Sequence, residues 1–299
     1  MSSPVRDKAV AFGPDRSAIG ILTAPSGSQG KDAPHVILIN SGIIHRVGAS
    51  RLYVSLAREF AHHGFPTLRF DLSGIGDSAP RKESLSLSDT VKADIDDAIS
   101  FLEQTRQANR FIVMGLCSGA HDAFETALRR PDVVGLALLD IPGPFRNWQQ
   151  VACHYGKRLL RLDSWWSTIR GRNTVYRRAW NRVVGADRLP DTGDSAGIRQ
   201  GYSRDTMQDH FSALIGRSVP VHLVFTAGME NNYNHRSQFR EVFPSVSANP
   251  LVSYQYFPKA DHIFSRAMER RALSDSLTHW LSETEFPAMV IDQTVPEKR

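Results

Sequence analysis

The sequence predicts an α/β architecture, a mostly parallel sheet with helices on both faces, and three observations carry the prediction. Short apolar runs rich in β-branched residues alternate with segments of helical spacing. One of these runs, Phe111-Ile-Val-Met-Gly-Leu-Cys-Ser-Gly-Ala120, passes through a glycine-flanked turn straight into a helix former. The alternation resumes near the C-terminus after an interval of about sixty residues without strand signals.

Each element has a local reason. The N-terminal residues up to Thr23 read as a β-hairpin at the sheet edge. His35 to Asn40, bounded by Pro34 and the turn Ser41-Gly42, reads as a buried parallel strand because it is apolar throughout. Ser50 to His63 has the helical stripe Leu52, Leu56, Phe60 and stops at Gly64. Thr67 to Phe70 is the next strand, and the turn-rich loop Asp71-Leu-Ser-Gly-Ile-Gly-Asp-Ser78 follows it. Ser88 is placed to cap a helix whose stripe is Val91, Ile95, Ala98 and Leu102. Then come a strand over 111–114, a helix from Ser118 to Arg130 and a strand from Val134 to Leu139. Two further strands, Val221 to Thr226 and Val252 to Phe257, precede a closing helix from about Ser265 to Leu281.

These elements divide the chain into a first core part over 1–141, an inserted segment over 142–200, a second core part over 201–282 and a polar tail over 283–299. The insert is rich in Trp and Arg and lies between two strands, at the sheet end where the elbow falls, so it reads as a helical lid. Between Pro142 and Arg188 the net charge is +8, which leaves −3 for the rest of a chain whose total is +5. The basicity therefore belongs to the insert.

Gly115-Leu-Cys-Ser-Gly119 is the informative turn. A side chain presented at a sharp strand-to-helix junction needs small neighbours two residues before and after, because the backbone folds back on itself. Only Cys117 has them, since Ser118 would need glycines at Leu116 and Ala120. The residue after a nucleophile donates its backbone N–H to an oxyanion, which gives Ser118 a use of its own. A free cysteine is also a common small hydrophobe of cores, and that reading competes wherever the surroundings are not catalytic.

Bulk properties exclude several classes. With 299 residues and 41% hydrophobic content the chain fills a full core, and two cysteines cannot make a disulfide framework. That usage suits a reducing compartment, so a cytoplasmic location is expected, and no run approaches the roughly 20 apolar residues of a membrane span. There is no phosphate loop and no dinucleotide fingerprint, and no cofactor is expected. Asp71 and Asp77 lack a clustered histidine or third carboxylate, so their loop reads as a structural turn and not a metal pair.

Residues 20 to 282 resemble the α/β-hydrolase fold, on three motifs: the elbow Gly115-Leu-Cys-Ser-Gly119, the strand and loop Leu68-Arg-Phe-Asp-Leu-Ser-Gly-Ile-Gly-Asp-Ser78, and the segment Lys259-Ala-Asp-His262. Most such proteins carry serine at the elbow, while haloalkane dehalogenases and epoxide hydrolases carry aspartate, so those two chemistries are disfavoured here. Dienelactone hydrolases and polyhydroxyalkanoate synthases are similar in having Gly-x-Cys-x-Gly. The run His45-Arg-Val-Gly48 and the segment Ala260-Asp-His-Ile-Phe-Ser265 are closer to hydrolase-like proteins of bacterial biosynthetic pathways, some of them Cys-dependent thioesterases or acyl shuttles.

The resemblance implies a constellation. His262, on a loop between the last strand and the last helix, is the expected base over Cys117. Glu230, after the strand ending at Thr226, is the favoured acid, and Asp140, at the end of the strand before the insert, is the other position this fold can use. The second oxyanion donor is expected from the backbone of Gly42 or Ile43, beside that of Ser118. His45, Arg46 and Arg51 are candidate substrate-binding residues, with Arg46 equally suited to pairing with a core acid.

Sulfur sets the chemistry expected. An acyl-cysteine is itself a thioester, so transfer from another thioester is nearly balanced in energy. The expectation is a thioesterase or acyltransferase whose donor is a small-molecule acyl thioester, borne on CoA or on an acidic acyl or peptidyl carrier protein that meets the basic lid, and not a nucleic-acid binder. A carboxylester or lactone hydrolase needs the same constellation, and a non-catalytic relative used for binding would form no acyl-enzyme.

Overall fold

The computed structural model describes residues 5–25, 32–145, 202–229 and 232–288. Eight strands form one sheet: β1 (Val5–Phe12), β2 (Ala18–Pro25), β3 (His35–Ile39), β4 (Thr67–Phe70), β5 (Phe111–Leu116), β6 (Val133–Leu139), β7 (Val221–Thr226) and β8 (Val252–Phe257). Their order is β1-β2-β4-β3-β5-β6-β7-β8. The β1–β2 hairpin joins β4 antiparallel at one edge, and every pairing from β4 through β3, β5, β6 and β7 to β8 is parallel. This is the α/β-hydrolase fold class that the sequence predicts.

Residues of β3, β5, β6 and β7 are buried throughout, which their unbroken apolar runs require of central parallel strands. Five larger helices take part in covering the sheet among the described residues. α1 (Leu52–His62) and the closing helix α7 (Ala267–Glu283) pack with Val36, Leu38, Met114 and Leu139 on one face. On the other face, α2 (Leu87–Arg106), α3 (Ser118–Arg129) and α4 (Arg204–Gly216) pack with Ile37, Ile39, Val113 and Leu138. Short helices α5 (Gln238–Val242) and α6 (Pro244–Ser247) fill the β7–β8 crossover.

Most expected bounds stand within two residues, with two differences of physical interest. The cap of α2 is Ser86, not Ser88: its hydroxyl accepts the Asp89 N–H at 3.1 Å, which starts the helix two residues earlier. The helix α4 had no counterpart in the expected pattern, because its buried stripe is sparse, Met207, Phe211 and Leu214 only. The Arg-rich segment over 146–201, including nearly all of the expected lid, and the tail beyond 288 lie outside the described residues. Among the described residues no helix is long and apolar enough to cross a membrane.

Candidate active site

The β5–α3 junction is built as a sharp elbow. Cys117 has φ 56° and ψ −117°, a conformation that costs a non-glycine residue of order 1–3 kcal/mol and persists only where packing dictates it. The flanking glycines are obligatory. A Cβ on Gly115 would lie 2.1 Å from the Gly119 carbonyl oxygen, and one on Gly119 would lie 2.4 Å from that of Ile39. Cys117 is half-buried at the N-terminus of α3, whose positive end favours an anion there.

Beneath the elbow the buried Tyr53 hydroxyl donates to the Ile39 carbonyl at 2.8 Å and accepts from the Leu116 N–H at 3.1 Å. It ties the ends of β3 and β5 to α1. Sequence reading counted Tyr53 only within a helix, since nothing local marks a tyrosine that bridges two strand ends.

His262 lies on the β8–α7 loop, and its Nδ1 is 2.9 Å from Asp140 Oδ2. Its approach depends on Gly228, where a Cβ would fall 2.1 Å from the His262 backbone nitrogen. Asp140, at the end of β6, is 1% exposed and also accepts from the Thr226 N–H at 2.7 Å and the Thr226 hydroxyl at 2.6 Å. Three hydrogen bonds on one buried carboxylate fix it in direction. Thr226, the last residue of β7, was missed as a site residue; a hydroxyl at a strand's C-terminal end was the available signal. Glu230, the favoured acid, lies outside the described residues, and the partner of His262 Nδ1 is the other candidate, Asp140. Asp261, adjacent to His262 in sequence, is turned to the backbone N–H groups of Ile263 and Ser265 at 3.2 and 2.9 Å.

The remaining nitrogen of His262 is left for Cys117, and the two side chains are hydrogen-bonded. That bond is the main cause of a thiol pKa below its ordinary value, with smaller support from the Ser118 backbone N–H and the Ser41 side chain, against the effect of burial. The imidazole is raised to about 10, first by its bond to Asp140 and then by its bond to Cys117. Thiol, imidazole and carboxylate thus stand as a line able to hold a thiolate–imidazolium pair.

The loop after β3 reaches the elbow through Gly42. Its Gly42 N–H is engaged at 2.8 Å by the Ser118 hydroxyl, so that donor is capped by a side chain of the elbow itself. Ile43 is 87% exposed.

None of the three candidate substrate-binding residues lines the cavity beside the elbow. Arg46 binds the Asp71 carboxylate through its guanidinium, donates its backbone N–H to Asp71 Oδ1 at 2.5 Å, and reaches Asp77 Oδ2 at 2.5 Å. Of the two readings of Arg46, pairing with a core acid is the one realised. Asp71 also accepts the Asp77 N–H at 3.0 Å, so this loop is braced from within. His45 is exposed and its Nδ1 lies 3.2 Å from the Val47 nitrogen, while Arg51 is exposed at the start of α1. Among the described residues no group of three or more His, Cys, Asp or Glu could hold a metal ion.

The fold is that of the α/β-hydrolases. Residues 32–171, a little under half of the chain, match the family model described as serine aminopeptidase, S33. Solved structures of the same fold include the Pyrococcus furiosus esterase Pf2001, at 12% identity over 92% of both chains and a TM-score of 0.55. They also include a proline iminopeptidase of Mycobacterium smegmatis, at 17% identity over 93% of this chain and 99% of that one, with a TM-score of 0.56. The naproxen esterase (carboxylesterase NP) of Bacillus subtilis is similar at 16% identity over 93% and 92%, with a TM-score of 0.54. No curated protein matches the sequence.

Proposed function

We propose that the protein is an acyl hydrolase that cleaves carboxylic esters through an S-acyl intermediate on Cys117. The observation that carries the reading is the line from the Cys117 thiol through His262 to the buried Asp140 carboxylate. The esterase descriptions of two structural neighbours support an ester as donor. The matched family is described by a serine; here sulfur stands at the elbow, and a thiol pKa held below its ordinary value favours the thiolate nucleophile.

The proposed steps balance on these residues. The Cys117 thiolate adds to the ester carbonyl carbon, and the oxyanion formed is stabilised by the Ser118 N–H and the N-terminus of α3. The Gly42 N–H joins them once it exchanges the Ser118 hydroxyl for the oxyanion. The C–O bond then breaks, and the departing alkoxide takes the proton from His262. Water next adds to the thioester carbonyl while His262 removes its proton, and the C–S bond breaks to release the acid and restore the thiolate–imidazolium pair. Asp140 holds the ring in the tautomer that serves both halves.

A thioester donor, on CoA or a carrier protein, is the second reading, and the sulfur favours it because thioester exchange is nearly thermoneutral. The test is turnover of matched p-nitrophenyl and CoA esters of one acyl group by the wild type and by Cys117→Ala. The ester reading expects p-nitrophenyl turnover that needs no carrier and is lost on Cys117→Ala. Turnover of the CoA ester alone establishes the second reading.

A further inference from the structure

A cavity of about 360 Å³ opens beside the elbow, bounded by Gly42 and Ser118 at one end and by the first two turns of α2 at the other. Its volume lies in the range of small-molecule sites, roughly 300–1,000 Å³. The apolar walls are Ile43, Leu72, Ile75, Leu87 and Val91. Two of these, Ile43 and Leu87, are 87% and 73% exposed at the rim.

Charge narrows the occupant. Among the described residues the cavity's charged side chains are both carboxylates, Asp94 and Asp122, and no Lys, Arg or His lines it. Asp94 is spent on Ser73, whose N–H and hydroxyl it accepts at 2.7 and 2.6 Å, and on Arg81 at 2.7 Å. The nearby Arg46 is held by Asp71 and Asp77. Among the described residues that line this space, an anionic group would find no cation to receive it. At the elbow end, Asn40 also lines the cavity, is 2% exposed, and has neither its amide nitrogen nor its amide oxygen hydrogen-bonded. A buried amide left without partners marks where a ligand's polar atoms belong.

Building on the acyl-hydrolase reading, we propose that this cavity is the acyl pocket and selects a neutral, aliphatic acyl group of medium length. The carbonyl end lies by Asn40 and the elbow, and the chain runs along α2. The lining residues Leu87 to Asp94 cover about 10 Å at ~1.5 Å rise per residue. An extended chain advances ~1.2 Å per bond, so about eight bonds fit. The commitment is to chains of roughly six to eight carbons, and against acetyl and against dicarboxylic half-esters.

The test is kcat/KM for p-nitrophenyl acetate, octanoate and the monoanionic adipate ester, with wild type, Thr90→Trp and Leu87→Arg. Thr90 is half-buried and Leu87 exposed, so both variants spare the core, and circular dichroism checks their folding. Octanoate is expected to exceed acetate by roughly tenfold or more, as apolar burial per methylene requires, and to exceed adipate by at least as much. Thr90→Trp should erase the octanoate advantage over acetate, and Leu87→Arg should raise the adipate rate several-fold. Equal rates on acetate and octanoate with Cys117-dependent turnover would overturn the pocket and leave the hydrolase reading standing. The same holds for an unaltered preference in a folded Thr90→Trp. Absence of turnover on every ester would overturn both.

Discussion

His262 Nδ1 lies 2.9 Å from Asp140 Oδ2, although the two residues are 122 positions apart in sequence. The bond joins the end of β6 to the loop after β8, so it spans β7 and depends on the whole C-terminal half of the sheet. Thr226 on the intervening β7 fixes the carboxylate from behind.

Asp140→Asn is expected to lower kcat/KM by 10²–10⁴, because the amide no longer stabilises the imidazolium or selects its tautomer. Glu230→Gln should stay within about twofold. Steady-state rates of both variants on one activated ester decide between them, and the reverse ranking assigns the acid to Glu230.

The pH profile follows from two opposed shifts. The thiol, held below its ordinary value of 9.0, charges early on the acid side; the imidazole, held at about 10 against 6.5, keeps its proton well into the alkaline range. Activity should therefore rise with an apparent pKa under 9.0 and fall near 10, both limbs belonging to the coupled pair. Asp140→Asn should bring the alkaline limb down, because it removes the first cause of the raised imidazole. Stability has the matching signs. The His262 contribution is fully present below pH 6.5 and is lost as pH rises through about 10. That of Cys117 is present above 9.0 and is lost as pH falls through the lowered value of the folded state. A descending limb near 6.5 in the wild type would show that Asp140 does not hold the proton on His262.

Tyr53→Phe leaves the Leu116 N–H without its partner in the core and removes the donor to the Ile39 carbonyl. The expected cost is ~1–3 kcal/mol in urea unfolding. A change of a few tenths would mean that the tie does not matter to the elbow.

Arg46→Ala strips the guanidinium from Asp71, whose side chain is fully buried, and should destabilise the fold by ~3 kcal/mol or more. KM should change alike for neutral and anionic esters. A selective loss for anionic esters would restore the substrate-binding role that its place in the sequence suggested.

What the sequence disclosed and what it withheld divide along locality. The elbow was legible because Gly115 and Gly119, both required by close backbone contact, stand within five residues of each other, and the strands of the sheet centre because burial on both faces demands unbroken apolar runs. The acid was not, since a carboxylate after β6 and one after β7 satisfy the same local pattern and only the aim of Asp140 toward the β8–α7 loop separates them. Arg46 was ambiguous for the same reason. Its partners lie 25 and 31 residues away, on a loop whose own glycine, Gly76, is needed because a Cβ there would strike the Asp71 carboxylate. Ser118, expected to offer its backbone N–H, also uses its hydroxyl on Gly42, a contact between residues 76 apart.

The central claim is a covalent acyl group on Cys117, and the most direct measurement is rapid quenching of the protein with p-nitrophenyl octanoate followed by intact mass and peptide mapping. The account predicts an added octanoyl mass on the peptide that holds Cys117, formed within a turnover, absent from Cys117→Ala and unaffected by Cys153→Ser. Ester turnover by Cys117→Ala at the wild-type rate, or an octanoyl group mapped elsewhere while Cys117 stays free, would contradict it.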